Sequence, residues 1–328
     1  MTVFNCHLKS FMINTYEEKG LRFIEMENDL LKVIFLPQIG GKMIKLINKK
    51  TGTNFLLEPQ NDTKSYKPAF HGAFFENYDT SGFDECFPTI EACKIKTKSG
   101  YEISLPDHGQ LWSKKWSYEI SNDGTFIRTT KGINWDYSFS KQVKLEENKF
   151  IIDYTVENFE EEPFPYIWAA HPLLHVEPDD IIYLTDEIQN VLAYWINDET
   201  IANQGEELEW PYLNGSDDFS IIPKLDFGKA LKVFSKKLND PGWCALHKPK
   251  NRESMLISFD TEKIPFLGIW LCYGGWPVNS KKKHLTIALE PTNACCDSLE
   301  KAMKQNACGI IQPNAKEKWR IEFTIVNE

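Results

Sequence analysis

Apolar side chains recur at every second position through much of this chain, and that period admits few folds. Val143 and Leu145 alternate up to Glu146, Glu147 and Asn148, after which Phe150, Ile152, Tyr154 and Val156 alternate again. Two such runs around a short polar break read as a hairpin, because successive side chains of a strand point to opposite faces. A second hairpin is expected from residues 116–120 and 125–128, since Asp123 followed by Gly124 supplies the positive φ angles of a tight turn. Leu30 to Leu36 reads as a strand, Gly40 and Gly41 break it, and residues 42–47 resume it before a turn leads back into residues 54–57. Residues 318–326 close the chain with another alternating run. Helical signal is confined to residues 298–306, with Asp297 as the expected N-cap and Gly309 beyond the end. The pattern predicts an all-β fold: a large antiparallel β-sandwich of two packed sheets, with long loops and little helix. The acidic stretch from Asn203 to Asp218 reads as a surface loop.

Large sandwiches run past the usual domain length, so residues 1–328 are expected to form one domain. The formal net charge of −10 leaves no basic surplus to neutralise phosphates, which argues against nucleic acid as a partner. Lys281, Lys282 and Lys283 read as a solvated turn. The N-terminus lacks a basic segment followed by an apolar one, and no later run approaches the ~18 apolar residues of a membrane span. A cytoplasmic monomer or homodimer without membrane contact is the expectation. Eight cysteines occur without a C-x-x-C pair, so reduced thiols are expected rather than a zinc framework or redox motif.

Two titratable residues stand at the ends of apolar runs. His171 follows Trp168, Ala169 and Ala170, and Glu290 follows Ile287, Ala288 and Leu289. A polar group there must face a cleft, find a partner, or be costly to bury. A histidine and a carboxylate converging on one cleft can serve as general acid and base without a cofactor. His171 and His175 do not read as a metal pair, because in a strand they stand roughly 13 Å apart. No metal or cofactor is expected.

Five segments in order carry a resemblance: residues 36–46 with the double glycine, 81–89, 107–112, then Glu157, Asn158, Pro163 and His171, and finally 288–293. Together they resemble the aldose 1-epimerases, the galactose mutarotase-like family, over most of the chain. The resemblance implies a galactose mutarotase-like supersandwich with a carbohydrate cleft, a catalytic histidine at His171, a second active-site histidine at His108 and a catalytic glutamate at Glu290. The implied reaction opens an aldose ring by acid–base catalysis and recloses it on the other anomeric face. The chain departs from the galactose-specific members at Pro172, Leu173 and Leu174, where they carry a Tyr-Phe pair. It also has no arginine between Arg22 and Arg128, where they carry one.

Further sugar contacts are expected at Lys42, Asp84 and Glu85, the last two pointing to opposite faces if their segment is extended. Trp112, Trp270 and Trp276 are candidate stacking platforms. Two other functions stay open: a carbohydrate-binding or sensing protein without catalysis, and a hydrolase or lyase pairing Asp84 or Glu85 with Glu290.

Overall fold

A computed structural model describes residues 12–121, 125–239 and 241–328. Alternation becomes two large antiparallel sheets. The first runs, edge to edge, Met12–Glu18, Leu21–Glu27, Leu31–Leu36, Lys42–Asn48, Phe83–Cys86, Ala169–His175, Leu285–Thr292, Phe266–Tyr273, Lys229–Ser235, Asn190–Ile196 and Glu207–Glu209. Five central strands position the site and are labelled β1 (Phe83–Cys86), β2 (Ala169–His175), β3 (Lys229–Ser235), β4 (Phe266–Tyr273) and β5 (Leu285–Thr292). Their spatial order is β1, β2, β5, β4, β3. The second sheet runs Ile181–Leu184, Gly242–Lys248, Glu253–Phe259, Lys316–Asn327, Lys149–Asn158, Tyr137–Glu146, Phe126–Lys131 and Ser117–Ile120.

The alternating runs at 137–158 form the expected hairpin, paired from Tyr137 with Asn158 to Glu146 with Lys149. Ser117–Ile120 and Phe126–Lys131 also pair, while the turn expected at Asn122, Asp123 and Gly124 lies outside the described residues. The acidic stretch is not all loop, because Glu207–Glu209 adds an edge strand to Asn190–Ile196. The helix α1 spans Leu299–Lys304, and its cap is Ser298, whose hydroxyl accepts from the Lys301 N–H at 3.5 Å. Asp297 was the expected cap; its half-buried side chain instead faces Lys232. No helix of the described residues is long and apolar enough to cross a membrane.

Between the sheets aromatic rings pack at tilted angles: Phe35 against Phe126 and Phe150, Phe83 against Phe323, and Trp168 against Tyr154 and Trp319. Charges sit among them. Glu85 accepts from Lys141 Nζ and from the Tyr154 hydroxyl, the latter at 3.0 Å. The Arg128 guanidinium lies 4.0 Å from the Phe35 ring centre. Burial and the neighbouring Arg128 push the Lys141 amine down to about 7.

Candidate active site

Register puts the two opening residues side by side. Ala169 pairs with Thr292 and Leu173 with Ala288, and these pairs bracket His171 on β2 and Glu290 on β5. On the other flank His171 is paired with Asp84 of β1. Directly paired residues share a face, so Asp84, His171 and Glu290 form one rung on the face turned away from the second sheet. Beyond Glu290 the rung continues to Gly268 of β4 and Phe234 of β3. Parity then explains Glu85: one residue from Asp84, it points the other way, into the inter-sheet core.

His171 Nε2 stands 4.0 Å from Glu290 Oε1. Both side chains are buried, yet His171 Nδ1 and Glu290 Oε1 have no hydrogen-bond partner. Burial holds the His171 imidazole well below its usual 6.5, helped by His108, Lys232 and Lys42. Burial moves the Glu290 carboxyl upward, outweighing the attraction of Lys232. The same desolvation thus favours the neutral form of both groups.

Lys232 is the partner the sequence reading missed. Its ammonium contacts Glu290 Oε2 and lies 3.9 Å from Asp297 Oδ1. It reaches Glu290 from the next rung by crossing Gly268, where a Cβ would come within 3.3 Å of its Nζ. A lysine at an inward position of an otherwise apolar strand was the available signal, in residues 230–234.

His108 arrives from a loop. It and Gly109 both have positive φ, at 56° and 71°, and a Cβ on Gly109 would stand 2.2 Å from the Phe87 carbonyl oxygen. Only glycine fits there. His108 Nδ1 lies 3.0 Å from Asp107 Oδ1, and its ring stacks on Phe75 at 4.3 Å. Asp107 is itself fixed by the Phe75 N–H, 2.8 Å from Oδ2. The two histidine rings meet at 5.0 Å.

These groups open on a cavity of about 380 Å³ lined also by Tyr194, Trp195, Trp270 and Trp276. Trp270 lies 5.4 Å from Trp195 and 6.2 Å from Trp276, so three indoles form a bent wall. His108, His171, Glu290, Trp270 and Trp276 are therefore brought together. Lys42, Asp84, Glu85 and Trp112 do not line this cavity. Lys42 is sealed against Asp79 and Asp84, the latter at 3.0 Å, with its amine 5.6 Å from the Phe75 ring centre. Burial pushes the Asp84 carboxyl up to about 6 despite that lysine. Trp112 packs edge-on to Phe75 and donates to the Asp107 carbonyl at 3.0 Å, so it braces the His108 loop. The hydrolase arrangement of Asp84 or Glu85 with Glu290 does not form, because one carboxylate is locked to Lys42 and the other points into the core. His175 is exposed at the end of β2, away from His171.

Known structures place this architecture. A galactose mutarotase-like protein of Clostridium acetobutylicum matches with a TM-score of 0.68 at 14% identity, over 97% of this chain and 99% of that one. The fold is galactose mutarotase-like. A Klebsiella pneumoniae protein carrying the provisional name aldose 1-epimerase matches with a TM-score of 0.72 at 14% identity, over 98% of this chain and 84% of that one. The Slr1438 protein of Synechocystis matches at 0.69 and 12% identity, over 97% and 96% of the two chains. A family model described as a domain of unknown function (DUF5107) matches residues 8–96. No curated protein matches the chain.

Proposed function

We propose that this chain is an aldose 1-epimerase acting on a neutral aldose, with a sugar as its small-molecule partner. The observation that carries this reading is the His171–Glu290 pair, 4.0 Å apart, with unpartnered polar atoms turned to an aromatic-walled cavity. Saccharides suit such a wall, because the apolar faces of the ring stack on indoles while hydroxyls take the orphaned atoms.

Ring opening needs one proton removed from the anomeric hydroxyl and one delivered to the ring oxygen. Glu290 Oε1 accepts the first and His171 donates the second. His108, oriented by Asp107, assists at the ring oxygen. Burial favours the neutral form of each group, the imidazole over the imidazolium and the carboxylic acid over the carboxylate. The open aldehyde then turns about C1–C2, and reclosure on the opposite face returns both protons. Lys232 favours the ionised form of Glu290 and leaves Oε1 free.

Charge argues for a neutral substrate. The cavity is lined by Glu76, Glu91, Asp107, Glu290 and Asp297, its one lysine is engaged by Glu290, and none of the chain's four arginines lines it. A phosphate or carboxylate on the sugar would meet net repulsion.

Polarimetry or NMR of freshly dissolved aldoses tests the reading. Anomer exchange should accelerate for at least one neutral hexose or pentose, with a phosphorylated counterpart turned over about tenfold less efficiently or worse. No acceleration across such a panel defeats the proposal, and saturable binding without acceleration would assign a sugar-binding protein instead.

A further inference from the structure

A third group stands behind the two histidines. Cys86, on β1, is two residues from Asp84 and so shares the face of His171. Its thiol and one ring nitrogen each of His108 and His171 all lie within 4.8 Å of one another. We propose that Cys86, His108 and His171 form a binding site for Zn²⁺ or a similar borderline-soft divalent cation, which blocks the acid–base pair when bound.

Ligand chemistry selects the ion. One thiolate with two imidazoles suits zinc and disfavours calcium or magnesium, which take oxygen donors. Zn–S of about 2.3 Å and Zn–N of about 2.0–2.1 Å require donors roughly 3.3–3.6 Å apart at tetrahedral angles, so donors at the 4.8 Å limit must draw in by about 1.2–1.5 Å. His171 has that freedom, because its Nδ1 makes no hydrogen bond. His108 has a carboxylate beside it, as metal-ligating histidines usually do, with Nδ1 3.0 Å from Asp107 Oδ1 but outside hydrogen-bond geometry. The unpartnered Glu290 Oε1, 4.0 Å from His171 Nε2, can supply the fourth donor or leave that place to water.

Without metal, burial raises the Cys86 thiol well above its usual range, and nearby Glu290 adds to this. A thiol ligates as the thiolate, so binding expels its proton. The titratable groups facing the cluster are Lys42, Asp84, Asp107, Lys232, Glu290 and Asp297. The site stands on its own geometry and does not depend on sugar chemistry.

The test uses the full chain stripped of metal and titrated with Co²⁺. A stoichiometric sulfur-to-cobalt charge-transfer band with tetrahedral d–d bands is expected. Cys86→Ser should abolish the charge-transfer band and weaken Zn²⁺ binding about tenfold or more in competition with a chromophoric chelator. If that variant does not fold, His108→Ala on the loop should weaken binding by a similar factor. X-ray absorption of the Zn²⁺ form should show one sulfur at about 2.3 Å and two nitrogens at about 2.0–2.1 Å. Absence of a stoichiometric band, or a band that survives in Cys86→Ser, overturns the site. The two ideas fail separately: normal anomer exchange without a cobalt band removes the metal site, whereas the band without exchange removes the proposed reaction and keeps the site.

Discussion

Two buried glutamate–lysine pairs lie on opposite faces of the same sheet, and they differ in what surrounds them. Glu85 and Lys141 are sealed between the sheets, with Tyr154 as a further donor and aromatic rings around them. Glu290 and Lys232 are almost as buried, but one carboxylate oxygen faces His171 and a cavity. Pairing alone does not mark a functional carboxylate. What sets Glu290 apart is access of its unpaired oxygen to a space the size of a small ligand.

Breaking each pair should therefore give different phenotypes. Glu290→Gln should lower anomer exchange by about 10²–10⁴-fold, the usual worth of a positioned acid–base group, while saturable sugar binding persists. Retained turnover, followed by polarimetry, would remove Glu290 from the base role. Glu85→Gln should instead destabilise the fold by about 3–5 kcal/mol, because it leaves Lys141 buried without its partner. A double change to Glu85→Leu with Lys141→Met should recover most of that loss in urea unfolding, and failure to recover would mean the pair does more than fill the core.

A finer contrast concerns pH. Lys232 lowers the Glu290 proton affinity, against the upward push of burial. Removing it in Lys232→Met leaves only His108 against the upward push of burial and Asp297, so Glu290 should stay protonated to higher pH. The acid limb of the pH–rate profile should then move to higher pH, whereas the corresponding Lys141→Met should leave the limb in place. An unmoved limb in Lys232→Met would separate Lys232 from the reaction. The smallest effect is expected at the indole wall: Trp270→Ala should raise KM about two- to tenfold, from ~0.5–1.5 kcal/mol of lost ring contact, with kcat less affected.

Much of this was legible in the chain. The 137–158 hairpin and the strands at 31–36, 42–48 and 316–327 follow from two-residue alternation, a local property that needs no distant partner. His171 and Glu290 were visible as titratable residues ending apolar runs. The stacking positions Trp270 and Trp276 reached the cavity, but Trp112, chemically identical, became a brace for the His108 loop. Asp297 was read as a helix cap because an acid before a helix usually is one; Ser298 took that role, and Asp297 turned toward the nearby Lys232 ammonium.

By itself, then, the sequence determined the sheet-forming period, the scarcity of helix and the chemical types at the strand ends. Tertiary structure decided which of those residues meet. The parity of a strand sends Asp84 and Glu85 to opposite faces, but only pairing with β2 says which face holds the cavity. Lys232 reaches Glu290 across Gly268, on the strand between them, where a Cβ would crowd its ammonium. Register between strands far apart in the chain is set by global packing, and a single-residue slip would exchange the two faces.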